Sequence, residues 1–193
     1  MPPIARDSLL TLEAYAKKRP EMRAQAIAHK RARTVHLGEH LTLLFEDETT
    51  IRYQIQEMLR IEKTFEEEAI QDELDVYNPL VPDGSNLKAT MLIEYEDENV
   101  RRQALSRLKG IEDVVWVQVG DEARVTPIAD EDLDRETDDK TSSVHFLRFE
   151  FTPAMIAAWK GGAPVTMGIE HPEYRVEAVL TPEQRSALAA DFT

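Results

Sequence analysis

At Lys88 the spacing of the apolar residues changes period, and that change limits the available folds more than any other feature of the chain. Downstream, Ala89, Met91, Ile93 and Tyr95 alternate, as do Val115, Val117 and Val119, and later Val165, Met167 and Ile169. A period of two lays one face of a strand on a core. Upstream, Ile51, Ile55, Met58 and Leu59 recur at helical spacing. The chain therefore divides into a helical front end, residues 1–86, and a strand-rich region, residues 87–193, within one domain of 193 residues.

Punctuation refines this division. Asp7 caps a helix to about Lys18, and Pro20 suits the first turn of a second helix to about Arg31. Gly38-Glu39 between Thr34–Leu37 and His40–Glu46 reads as a two-residue hairpin loop. Thr49 or Thr50 caps the helix carrying Ile51, and an acidic helix follows over 65–76. The stretch 78–86 contains two prolines and Asp-Gly and is a loop. Beyond it, 88–128 reads β-α-β-β and 143–180 repeats that order. Thr152-Pro153 and Thr181-Pro182 open helices, and Gln184 completes a capping box. The expected fold class is α+β: an N-terminal helical region with a short hairpin, then a mixed six-strand sheet from two β-α-β-β units with helices mainly on one face.

Charge is unevenly placed. The chain carries 23 Lys+Arg and 37 Asp+Glu, a net charge of −14. Residues 1–36 hold eight basic and three acidic residues, whereas 62–77 and 121–139 hold seven and nine acidic ones. Such acidity argues against nucleic acid as a partner. A basic front end on an acidic body points to a protein partner or to self-association. Arg19, Arg23, Lys30 and Arg33 fall on one helical stripe, and with Ser85, Asn86 and Lys88 of the loop they are the anion- or partner-binding candidates. No run of ~18 apolar residues marks a membrane span. Met1–Asp7 lacks the apolar core of a leader, so the expected location is the cytoplasm.

The absence of cysteine removes disulfides, thiol nucleophiles and cysteine-held metal or iron–sulfur centres. Asp130, Asp132 and Asp134 begin like a calcium loop, but Arg135 stands where glycine is required and Thr141 where the closing glutamate belongs. His36 and His40 would face apart in the hairpin. No phosphate-binding glycine motif and no nucleophile elbow occur. No metal or cofactor is therefore expected. Glu62 falls inside the apolar stripe of its helix, where a carboxylate must be paired, bind a cation, take up a proton or lie beyond the packed part. His145 shares a strand face with Leu147, Phe149 and Phe151, the position of a core histidine or of a general acid/base. Glu57, Arg60, Glu62 and His145 are the catalytic candidates, provided that they converge.

Five blocks carry a family likeness: His29-Lys30-Arg31-Ala32-Arg33, Leu43-Leu44-Phe45-Glu46, residues 54–62 from Gln54 to Glu62, Val81-Pro82-Asp83-Gly84-Ser85-Asn86, and residues 140–149 from Lys140 to Phe149. Together they resemble a bacterial domain-of-unknown-function family as long as this chain, often encoded beside rubrerythrin-like and iron–sulfur oxidoreductase proteins. The resemblance implies an accessory or binding protein acting with such a partner in oxidative-stress or electron-transfer metabolism. It transfers no catalytic residue. Two other expectations stand beside it: an enzyme with a Glu/Arg/His pocket for a small anionic substrate, and a structural homo-oligomer.

Overall fold

The computed structural model describes residues 3–193; Met1 and Pro2, part of the segment read for a leader, lie outside the described residues. A single helix, α1 (Leu12–Ala32), replaces the two expected around Pro20. Thr11 caps it, accepting from the Ala14 amide at 3.3 Å. Proline has no amide for the Ala16 carbonyl, but Ala16 and Pro20 are both exposed and water can serve that carbonyl. The hairpin of β1 (Thr34–His36) and β2 (Leu41–Glu46) pairs His36 with Thr42, and the Leu37 amide donates to the Leu41 carbonyl at 2.8 Å, so the loop it closes, 38–40, has three residues rather than two. Gly38 takes φ 76° there, against the Tyr174 ring.

Helix α2 (Glu48–Glu62) starts one turn earlier than Thr50 suggests, because Asp47 is the cap and Thr50 completes a capping box with it. Lys63 ends it at φ 54°. Helix α3 (Glu67–Tyr77) follows. Ile51, Ile55 and Leu59 of α2 and Ile70 and Leu74 of α3 build a front-end cluster with Ile4, Leu9 and Val81.

The α+β class holds, but the strands form two antiparallel sheets instead of one mixed sheet. The larger has the order β1-β2-β3-β6-β5, with β3 at Asn86–Ile93, β5 at Ile128–Ala129 and β6 at Val144–Glu150. The smaller has β4 (Val115–Val119), β7 (Val165–His171) and β8 (Tyr174–Val179) in the order β4-β7-β8. The two repeated units explain the split. Helices α4 (Glu98–Arg107) and α5 (Pro153–Lys160) each carry the chain from a strand of the large sheet to a strand of the small one. Equivalent strands then pair, β3 with β6 and β4 with β7. Instead of a third full strand in the first unit, Val125 bridges back to Val117 and β5 joins β6.

One core lies under both sheets. Phe45, Met91 and Phe149 of the large sheet share a cluster with Val117 and Met167 of the small one, and with Trp159 and Leu188. Leu188 sits on α6 (Pro182–Ala189), opened by the expected Thr181–Gln184 capping box. The Tyr174 hydroxyl donates to the Leu37 carbonyl at 2.6 Å, tying the small sheet to the β1–β2 turn. No helix among the described residues is long and apolar enough to cross a membrane.

Candidate functional site

His145 lies opposite Met91 in the β3–β6 ladder, on the core side, with no exposed surface (0%). A buried imidazole must place both ring nitrogens. Asp130, just after β5, adopts φ 49°, a left-handed conformation that aspartate tolerates better than most residues. Its Oδ2 lies 2.6 Å from His145 Nδ1, while Oδ1 accepts from the Phe146 amide at 2.9 Å and from Arg135 at 3.2 Å. Arg135 also pairs with Asp132 at 2.5 Å and covers the Phe146 ring at 4.6 Å. With Nδ1–H donated to Asp130, Nε2 faces inward. Around it stand the Thr141 hydroxyl and the Ser142 carbonyl, each at 3.0 Å, and Glu112 Oε2 at 3.9 Å.

Glu112 belongs to the 3-10 turn Ile111–Val114 that follows Gly110, whose φ is 75°. It is 8% exposed, and its Oε2 is buried with no hydrogen-bond partner among the described residues. Burial raises its carboxyl above the usual range. Ligand-type atoms of Glu112, Asp130 and His145 all lie within 4.8 Å of one another. Glu112 also lines a concavity of about 390 Å³ whose walls include Asp113, Asp134, Glu136 and Asp138.

The catalytic candidates do not converge. Glu57 accepts from Arg19 at 2.7 and 3.0 Å, from the Tyr15 hydroxyl at 2.6 Å and from Arg60 at 3.3 Å. Glu62 is exposed at the end of α2. His145 is sealed in the sheet core with partners of its own, which removes the Glu/Arg/His pocket as a unit. The basic stripe also disperses: Arg19 is held by Glu57, Lys30 sits over the Tyr53 ring, Arg23 is exposed, and Arg33 is buried beyond the end of α1. Arg33 pairs with Asp191 at 2.5 Å and Asp47 at 3.5 Å. Asn86 is buried and donates to Glu150, and exposed Ser85 bonds Asp83. His36 meets Thr42, while His40 stacks on Tyr95 at 3.9 Å, so these histidines have separate partners.

Lys88 stands apart from the other anion candidates. It lines a groove of about 660 Å³ between α3, strands β3 and β6 of the large sheet and the 131–135 loop, walled by Val76, Leu80, Leu133 and Phe146. Its Nζ donates to the Pro79 carbonyl at 2.5 Å, and no carboxylate among the described residues lies within ion-pair distance. Burial lowers its pKa. Arg148, also in the groove, is held by Glu131 and Glu150. Sequence reasoning missed Glu112, Thr141 and Arg135 as site residues. Asp130 entered it only as part of a failed calcium template.

The comparison with curated proteins gave no match. A crystal structure of a novel protein of unknown function from Burkholderia pseudomallei K96243 is similar at 61% sequence identity and TM-score 0.94, covering 98% of this chain and 99% of that one. A profile of the family described as Protein of unknown function (DUF3501) matches residues 3–192. With that match spanning nearly its whole length, the chain belongs to this family of unknown function.

Proposed function

We propose that the chain is a binding protein, and that its groove between α3 and the large sheet takes a small amphiphilic anion. The half-buried Lys88 ammonium, with no carboxylate at ion-pair distance among the described residues, carries this reading. A partly desolvated cation in an apolar wall favours a ligand that brings both an anionic head and an apolar body. Val76, Leu80, Leu133 and Phe146 supply the apolar contact, and the groove volume suits a small molecule. Titration with decanoate, followed by calorimetry, should give saturable binding. Lys88→Gln should weaken it at least tenfold without moving the melting temperature. Equal binding of decanol, or an unchanged affinity in Lys88→Gln, would refute the reading.

A second reading keeps the protein partner implied by the family likeness, a rubrerythrin-like or iron–sulfur protein that would hold the iron–sulfur or thiol chemistry a cysteine-free chain cannot supply. It is supported by Ile61 and Phe65, which stand 61% and 72% exposed around the α2–α3 connection. Sedimentation of the mixed proteins should show a complex that Ile61→Ser with Phe65→Ser dissolves. Failure to co-sediment at micromolar concentration would remove this reading.

A further inference from the structure

We infer that His145, Glu112, Thr141 and the Ser142 carbonyl form a binding site for one divalent first-row transition-metal ion, with Asp130 holding the histidine from behind. The inference is independent of the groove. In the neutral ring, donation of Nδ1–H to Asp130 presents Nε2 as a lone pair, the form in which imidazole ligates metals. Of the three oxygens around Nε2, the Thr141 hydroxyl carries a proton of its own. The Ser142 carbonyl at 3.0 Å and, when ionised, the Glu112 carboxylate at 3.9 Å are acceptors facing that lone pair. A positive centre between them removes the conflict.

A proton on Nε2 would satisfy Ser142 but could not reach Glu112. Geometry therefore favours a metal ion. Ligands ~2.1 Å from a shared ion can stand up to ~4.2 Å apart, which spans the 3.9 Å between Nε2 and Glu112 Oε2. Glu112 Oε2, buried and without a hydrogen-bond partner among the described residues, is the observation that calls for a ligand here. The support shell is fixed too: Asp130 Oδ1 is held by the Phe146 amide and Arg135. The concavity lined by Glu112 is rich in carboxylates that attract cations, and its Lys109 is matched by Glu136 at 3.5 Å. One imidazole nitrogen among oxygens, with no sulfur, suits ions of the manganese-to-zinc series rather than soft copper(I).

Protein stripped with chelator and titrated with Zn²⁺ by calorimetry should bind one equivalent per chain and melt at a higher temperature when loaded. Glu112→Gln, which keeps the shape, should weaken Zn²⁺ affinity at least tenfold while melting cooperatively in chelator. Asp130→Asn should cost about 10–100-fold in affinity. Wild-type protein loaded with Co²⁺ should show one hyperfine-shifted, exchangeable imidazole N–H, that of Nδ1; this readout stands if Glu112→Gln fails to fold. No stoichiometric binding by the wild type, undiminished affinity in a folded Glu112→Gln, or no shifted imidazole proton in the Co²⁺ form would each overturn the site.

Discussion

Two carboxylates, each facing an arginine of the front end, sit on opposite sides of their ordinary acidity. Glu57 receives the Arg19 fork, the Tyr15 hydroxyl and Arg60, and is held down to about 2, chiefly by the Arg19 hydrogen bonds. Asp191 has its own 2.5 Å bond from Arg33 yet is pushed up to about 6, chiefly by burial. The difference lies in surroundings rather than in partner type. Asp191 is 2% exposed and shares one guanidinium with Asp47, and Arg33 also donates to the Phe45, Glu46 and Ala187 carbonyls. Burial costs the charged form more than a shared arginine restores. Glu57 keeps contact with water and collects donors from three side chains.

The largest test of this contrast is Arg33→Met. It leaves Asp191 and Asp47 without their guanidinium, and should cost about 3–5 kcal/mol in urea unfolding at pH 7. The loss should shrink at pH 5, where Asp191 takes up a proton. An equal loss at both pH values would mean that Asp191 is not its source.

Asp191→Asn isolates the raised carboxyl. A group raised in the folded state contributes its full stability below its unfolded value and loses it as pH rises through the folded one. Wild-type stability should therefore fall relative to Asp191→Asn by about 3 kcal/mol between about pH 4 and 6. A pH-independent difference would break the contrast.

Glu57→Gln should show the opposite sign. A depressed carboxyl stabilises above its unfolded value, and that contribution disappears as pH falls toward 2. The variant should be about 2 kcal/mol less stable at pH 7, with the gap narrowed at pH 3 and closing only as pH falls through about 2. Unfolding midpoints at the two pH values decide it. The smallest expected effect is in Lys88→Gln, whose stability should stay within about 0.5 kcal/mol of wild type, since Lys88 has no ion pair among the described residues to lose.

The elements whose signals are local were legible in the chain. Thr152 and Thr181 cap their helices as read, and β4 and β7 occupy the expected residues. Alternation names the face of a strand but not its hydrogen-bonded neighbour, so the partition into two sheets was hidden. Pro20 looks the same to its immediate neighbours in a first turn and in an exposed helix interior. The core position of His145 followed from Leu147 and Phe149, but its partners did not. Asp130 belongs to an acidic run that reads as solvated, and Glu112 follows an isoleucine with no periodic pattern around it. Their meeting depends on α4 crossing between the sheets.

The Arg33–Asp191 bond joins residues 158 apart in sequence. Chains emerge from the ribosome at roughly 5–20 residues per second and N-terminal parts can begin to fold first. Here the base of α1 cannot be locked until Asp191 has been made. For several seconds of synthesis Asp47 is therefore the carboxylate of the Arg33 site already made, and the closer Asp191 bond comes only with the segment beyond α6.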